Sequence, residues 1–196
     1  MNKISPYINI HTHRNGENQI SIECIGVHPY QAEDGTKLSL WSILPSTEAI
    51  GEIGLDFSRP ISREKQESLF KEQLSIAEQL TLPVVIHSVR AMDLTLEILK
   101  DFSLPAVIFH GFIGSEHQAK EAVKRGYFLS FGHRCFASPK TLSALRNVPL
   151  ANIFFETDEA DITIEEIYLQ AAKYRTEKLD EIKDQIYKNY TKIFKK

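Results

Sequence analysis

The chain has 196 residues, 42% of them hydrophobic and 25% charged, which fits one soluble globular domain and excludes a disordered or low-complexity polymer. Its formal net charge of −3 and pI near 6.2 exclude the broad basic surface that drives non-specific nucleic-acid binding, so a nucleic-acid substrate would have to be gripped locally. Cys24 and Cys135 are the two cysteines and form no CxxC pair, no window approaches the 18 or more apolar residues of a membrane span, and the N-terminal MNKISPYINI lacks the apolar core of a signal peptide. The expectation is a cytoplasmic protein in a reducing compartment, with no membrane contact and no obligate protein partner.

Short β-rich apolar runs alternate with longer segments of helical period, the pattern of βαβ units around a parallel sheet. The first run, YINIH, ends in His11-Thr12-His13. Residues two apart in a strand point the same way, so His11 and His13 can reach one cation while Thr12 faces away. Only RNGEN separates His13 from QISIECIGV, whereas a parallel crossover takes a dozen residues or more. Asn15-Gly16 is a strong hairpin signal, so the first two strands are expected to be antiparallel neighbours unless the second begins later.

The third run, EAIGEIG, carries Glu52, with Asp56 as the alternative carboxylate. Residues 62–80 place Phe70, Leu74 and Ala77 on one helical face. PVVIHS then delivers His87 and AVIFHGF delivers His110. Ser115 with Gln118 makes a capping box, and Gly126 marks the end of that helix before YFLSFG. Ser138-Pro139 reads as an N-cap with proline at the first helical position. NIFFETD delivers Asp158, Thr163 with Glu166 is a second capping box, and Leu179, Ile182, Ile186, Tyr190 and Ile193 keep an apolar stripe expected to pack against the outside of the sheet.

Seven strand candidates, in a chain short of the roughly 250 residues of a full eight-stranded α/β barrel, predict a TIM-type (β/α) barrel that is irregular or incomplete, shortened in its N-terminal part, and built as a single domain over residues 1–196. Metal-competent side chains recur at the C-terminal ends of the runs, where such folds keep their active sites. Each has an ordinary reading alone: an incidental HxH, a turn carboxylate at Glu52, rim histidines at His87 and His110, a helix cap at Asp158. Together they are enough for one or two divalent ions, with imidazoles suiting Zn²⁺ and a carboxylate able to bridge two ions. His28 in GVHPY reads equally as a structural turn or a substrate contact, His117 as solvated and His133 as a rim residue; none is counted as a ligand. Arg14, Arg59, Arg90 and Arg134 are candidate phosphate contacts.

In this order, HTH, GVHPY, AIGEIGLDF, LPVVIHS, IFHGFIGS, GYFLSFG and FFETD resemble the TatD family of metal-dependent hydrolases in the amidohydrolase superfamily, over nearly the whole chain. The resemblance implies a TIM-type barrel, a centre of one or two divalent ions (Zn, Mg or Mn), and hydrolysis of a phosphate ester, DNA above all. It implies His11 and His13 as ligands of one ion, Glu52 as the bridging and catalytic carboxylate, His87 and His110 on the second ion, and Asp158 as the metal-binding carboxylate that takes the proton of water. Three departures suggest a shortened branch: the segment the family carries between HxH and GVHP is absent, Val89-Arg90-Ala91 displaces an arginine by one position, and EADITIEEIY replaces a proline-rich loop. The loss of substrate-shaping loops leaves open a hydrolase of an amide, lactone or phosphomonoester, or a non-catalytic metal-stabilised module.

Overall fold

The computed structural model describes residues 5–14 and 16–195. In chain order these form β1 (Tyr7–Asn9), β2 (Gln19–Ser21), β3 (Cys24–Ile25), β4 (Ala49–Asp56), α1 (Arg63–Leu80), β5 (Val84–Val89), α2 (Met92–Ile98), β6 (Val107–Phe109), α3 (Glu116–Lys124), β7 (Phe128–Phe131), α4 (Pro139–Asn147), β8 (Ile153–Phe155), α5 (Ile164–Tyr174) and α6 (Leu179–Phe194), joined by short 3-10 turns. No helix among the described residues is long and apolar enough to cross a membrane. The chain divides into two compact units, one of residues 23–109 and one of residues 1–22 with 110–196.

In the contiguous unit β3, β4, β5 and β6 pair in parallel in that order. Every residue of β4 except Glu52 is buried, which is why AIGEIGLD reads as a nearly unbroken apolar run. Helix α1 lies where the sequence predicts a helix over 62–80; it starts at the Ser62 N-cap and buries Leu69 together with the expected Phe70, Leu74 and Ala77. Two fully buried glutamines share that face. Gln73 bonds both backbone groups of Val27 (2.7 and 2.9 Å), and Gln66 bonds both backbone groups of Asp56 (2.7 and 3.0 Å), so the helix fixes the end of β4 by hydrogen bonds as well as by packing.

In the discontinuous unit β7 pairs in parallel with β8, and β1 with β2. Here the sequence expectation is corrected: β1 and β2 run the same way, with Tyr7 opposite Gln19, and not as a hairpin. Two facts account for this. Each strand has three residues, about 10 Å, so the nine residues between them can return without a helix. The chain also leaves β1 along β8, where Ile10 N donates to Phe155 O (3.0 Å), before Asn18 turns it back at φ +60°. Of the predicted hairpin pair, Asn15 lies outside the described residues. The run ISIECIGV also resolves into two strands, β2 and β3, giving eight described strands where the sequence offers seven.

The predicted helices α3, α4, α5 and α6 are present, the first and third with both halves of their capping boxes formed. Ile182, Ile186 and Tyr190 of α6 are buried, and the helix packs on β1 and β8. Tyr168 of α5, fully buried, bonds both backbone groups of Ile8 (3.2 and 3.0 Å) and fixes β1 from the other side.

Candidate metal-binding clusters

In the discontinuous unit the His11–His13 segment is held against the end of β8 by main-chain bonds. Asp158 N donates to His11 O (3.1 Å) and His13 N donates to Asp158 O (3.2 Å), an isolated parallel bridge centred on Thr12. Beneath it, buried Asn9 accepts from Thr157 N (3.0 Å) and donates to the Thr157 hydroxyl (2.9 Å), and that hydroxyl donates to Thr12 Oγ1 (2.9 Å). Thr12 therefore faces a polar clamp while its neighbours converge on the carboxylate. Asp158 Oδ1 lies 3.7 Å from His11 Nε2 and 3.6 Å from His13 Nε2. The rings of His11 and His13 are 5.0 Å apart, and that of His110 is 4.4 Å from His11. Asp158 adopts φ +52°, a strained conformation for a residue with a Cβ, and such strain concentrates at functional sites.

Glu156, which the sequence reading passed over, completes this cluster. It is fully buried, its Oε1 accepts from Gly111 N (2.6 Å) and lies 3.6 Å from His110 Nδ1, and His110, Glu156 and Asp158 bring ligand atoms within 4.8 Å of one another. Burial pushes its carboxyl upward, yet the His110 and His11 imidazoles outweigh burial and hold it below the usual carboxylate range. Its second oxygen, Oε2, is buried with no hydrogen-bond partner, and the residue lines a cavity of about 30 Å³ together with Gly111, Gly132, Arg134 and Asp158. A buried carboxylate oxygen left without a donor is costly for the protein alone and suits a site completed by a cation or water. The signal existed in the sequence, since Glu156 and Asp158 are two apart in FFETD just as the histidines are in HTH.

In the contiguous unit Glu52 and His87 come together, and His28 joins them, each offering a ligand atom within 4.8 Å of the others. The register of β4 against β5 slips between Gly51 and Ile53, so Glu52 sits at a bulge, at φ +55°, where a strand re-aims a side chain. Gly54, opposite His87 at φ +141°, has no Cβ, and a Cβ there would stand 2.1 Å from His87 O. Asp56 turns out to back His87 and not to replace Glu52: its Oδ2 is 3.0 Å from His87 Nε2 and accepts from Tyr30 Oη (2.8 Å), while Oδ1 accepts from Ser58 N (2.8 Å) and Ser58 Oγ (2.5 Å). Although burial opposes it, these donors hold the Asp56 carboxyl down at about 2. An ionised carboxylate only accepts, so a neutral His87 facing it would carry its proton on Nε2 and offer Nδ1, the arrangement of a carboxylate-backed metal histidine.

His28 is the N-cap of a 3-10 turn, its Nδ1 accepting from Tyr30 N (3.1 Å), and its ring is 4.5 Å from that of His87. The sequence reading left it between turn and substrate contact, and the fold gives it the turn role within reach of Glu52 and His87. The Arg59 guanidinium lies 4.4 Å over the Tyr30 ring, a contact worth about 0.5–1 kcal/mol at an exposed site. His117 is exposed on α3 and outside both clusters, and His133 is exposed at the mouth of the small cavity beside Glu156. Thus His11, His13, His110 and Asp158 are gathered in one unit, Glu52 and His87 in the other, each set with a carboxylate behind a histidine. The donor set, imidazole nitrogens and carboxylate oxygens, fits a borderline or hard divalent ion.

Comparison with known proteins gives one consistent family. The family described as TatD related DNase matches residues 9–195. Human deoxyribonuclease TATDN3 is 33% identical over 159 residues, which are 72% of this chain and 58% of that protein. The 3'-5' ssDNA/RNA exonuclease TatD of Cronobacter turicensis is 32% identical over 163 residues, 78% of this chain and 62% of its own. The chain thus spans about three-fifths of the length of these curated relatives. The crystal structure of YjjV, a TatD homologue of Escherichia coli, superposes with a TM-score of 0.76 at 28% identity, covering 92% of this chain and 78% of that one. The fold class expected from the sequence, α/β of the TIM-type barrel kind, is the class this chain shares with that structure.

Proposed function

The chain belongs to the family of TatD-related DNases, and from that premise we propose that it is a divalent-metal-dependent hydrolase that cleaves phosphodiester bonds of DNA. The observation that carries this reading is the gathering of His11, His13 and His110 about the Asp158 carboxylate in one unit; in the other, Glu52 stands at a strand bulge within reach of His87. In this reading His11, His13, His110 and Asp158 would hold a divalent ion (Zn, Mg or Mn) in one unit, and Glu52 and His87 would be ligands of an ion in the other. A bound ion of this kind lowers the pKa of a coordinated water and offsets charge on phosphate oxygens.

The chain's own groups do the remaining work. Asp158, whose side chain is 36% exposed, is the carboxylate solvent can reach, and we assign it to accept the proton of the attacking water. Glu156, at 1%, is sealed behind His110 and serves to orient that ring. Asp56 fixes the tautomer of His87, and the strained backbone at Glu52 and Asp158 holds both carboxylates in place. The net charge of −3 and the replaced loop after Asp158 favour a short substrate, so a small phosphate ester stands beside DNA as substrate.

The test is cleavage of a labelled single-stranded oligonucleotide by protein loaded with Mg²⁺, Mn²⁺ or Zn²⁺, beside Asp158→Asn. Loss of a general base lowers turnover by at least about a hundredfold, with the far-UV dichroism of the variant unchanged. Protein that retains no divalent ion and cleaves no phosphodiester overturns the reading; full activity in Asp158→Asn removes Asp158 from its assigned role.

A further inference from the structure

The geometry points to Arg59 as the residue that selects an anionic phosphate group for the His28–Glu52–His87 cluster, held in place by Tyr30 as a positioning residue. This rests on the hydrolase reading above and adds to it a specific substrate contact.

The four arginines noted in the sequence differ in what the fold does with them. Arg14 Nη1 lies 2.5 Å from Asp161, so its charge is already matched. Arg90 follows β5 at φ +54°, and Arg134 lines the small cavity beside Glu156. Arg59 alone among these four is stacked on a ring and, among the described residues, matched by no carboxylate; its guanidinium carbon is 4.4 Å above the centre of Tyr30.

That ring is itself immobilised from two sides. The Tyr30 hydroxyl donates to Asp56 Oδ2 (2.8 Å), the same oxygen that stands 3.0 Å from His87 Nε2, and the Tyr30 amide donates to His28 Nδ1 (3.1 Å). The rings of Tyr30 and His28 are 4.2 Å apart, so the guanidinium is no farther from His28 than that spacing added to its own stacking distance. One chain of contacts therefore runs from His87 through Asp56 and Tyr30 to Arg59.

A guanidinium held over an aromatic ring can still offer its fork of N–H donors to a ligand, the geometry that binds two non-bridging phosphate oxygens at once. Stacking costs the edge nothing, and the missing carboxylate leaves the charge to the ligand. A neutral amide or lactone gains nothing from such a group, so the contact favours a phosphodiester over those substrates.

The test uses the Mn²⁺-loaded protein and a thymidine dinucleotide with a phosphorothioate linkage, which binds with little turnover, titrated by calorimetry over a series of NaCl concentrations. Arg59→Ala is expected to weaken binding at least tenfold and to reduce the slope of log affinity against log salt by about 0.7, the loss of one single-strand phosphate contact. Arg59→Lys restores the slope and only part of the affinity. Tyr30→Phe, which keeps the ring, leaves the salt slope at the unaltered value, and Tyr30→Leu lowers it as Arg59→Ala does, because Tyr30 acts on the phosphate contact through the guanidinium; an unaltered slope in Tyr30→Leu removes Tyr30 from its positioning role. Arg59→Gln keeps the test open if the alanine variant melts early. Equal affinity and slope in Arg59→Ala and the unaltered protein overturn this inference alone. An unaltered, metal-loaded protein that does not bind the dinucleotide overturns the hydrolase reading with it.

Discussion

Two carboxylates two residues apart in one strand end are given opposite environments. Asp158, at positive φ, meets His11 and His13 while staying partly open to solvent, whereas Glu156 lies sealed between Gly111 N and the His110 ring. Carboxylates behind metal histidines typically contribute a factor of 10–100 in metal affinity. Glu156→Gln is therefore expected to weaken divalent-ion binding by about that factor while preserving the fold, since the glutamine oxygen can still accept from Gly111 N. Calorimetric titration of Mn²⁺ into the metal-free variant measures this, and an unchanged affinity would remove Glu156 from the metal's support. In the sequence Glu156 was hidden by company: at the end of an apolar run, beside a more obvious aspartate, it looked like the last strand residue. His28 was hidden differently, because its following proline gave it a sufficient structural reason to exist.

Strand β4 shows how an element is shaped for such residues. The bulge at Glu52 and the glycine at Gly54 fall within three residues, one to aim a carboxylate and one to admit the His87 carbonyl. Gly54→Ala imposes a disfavoured φ and a backbone clash together, and is expected to cost about 2–5 kcal/mol, read as a lower urea midpoint with an unchanged slope. A midpoint unaffected by the substitution would mean that β4 and β5 can separate at His87 without loss.

Elements with local causes were legible in advance. The boundaries of α1, α3, α4 and α5 follow from serine and threonine caps that bond within three residues. Helix α2 was missed because its N-cap, Ala91, makes no side-chain bond and the helix has only seven residues. The direction of β2 was misjudged because a remote strand, β8, sets the path between β1 and β2, and no local turn preference reports that. The two buried glutamines of α1 were equally unreadable, since their partners are backbone groups that any sequence supplies.

At the scale of the whole molecule, both clusters set imidazoles and carboxylates close together, and a bound ion stabilises the native state over the unfolded chain. An ion at a hundred times its dissociation constant adds about 2.7 kcal/mol. Treatment with a chelator is thus expected to lower the melting temperature, and restoring Zn²⁺, Mn²⁺ or Mg²⁺ one at a time to raise it in order of affinity. A melting temperature indifferent to all three would show that the clusters do not bind them in the folded protein.

The clamp between Asn9 and Thr157 joins residues 148 apart in the chain, and the bonds of Tyr168 to Ile8 span 160. Closing such long loops is slow relative to the local pairing of β3 to β6, which lies within one continuous stretch. During synthesis β1 thus emerges before β8 and α5 and docks late, waiting for both. Its two histidines meet Asp158 only when translation has passed both, so a nascent chain cannot assemble the His11–His13–Asp158 site prematurely.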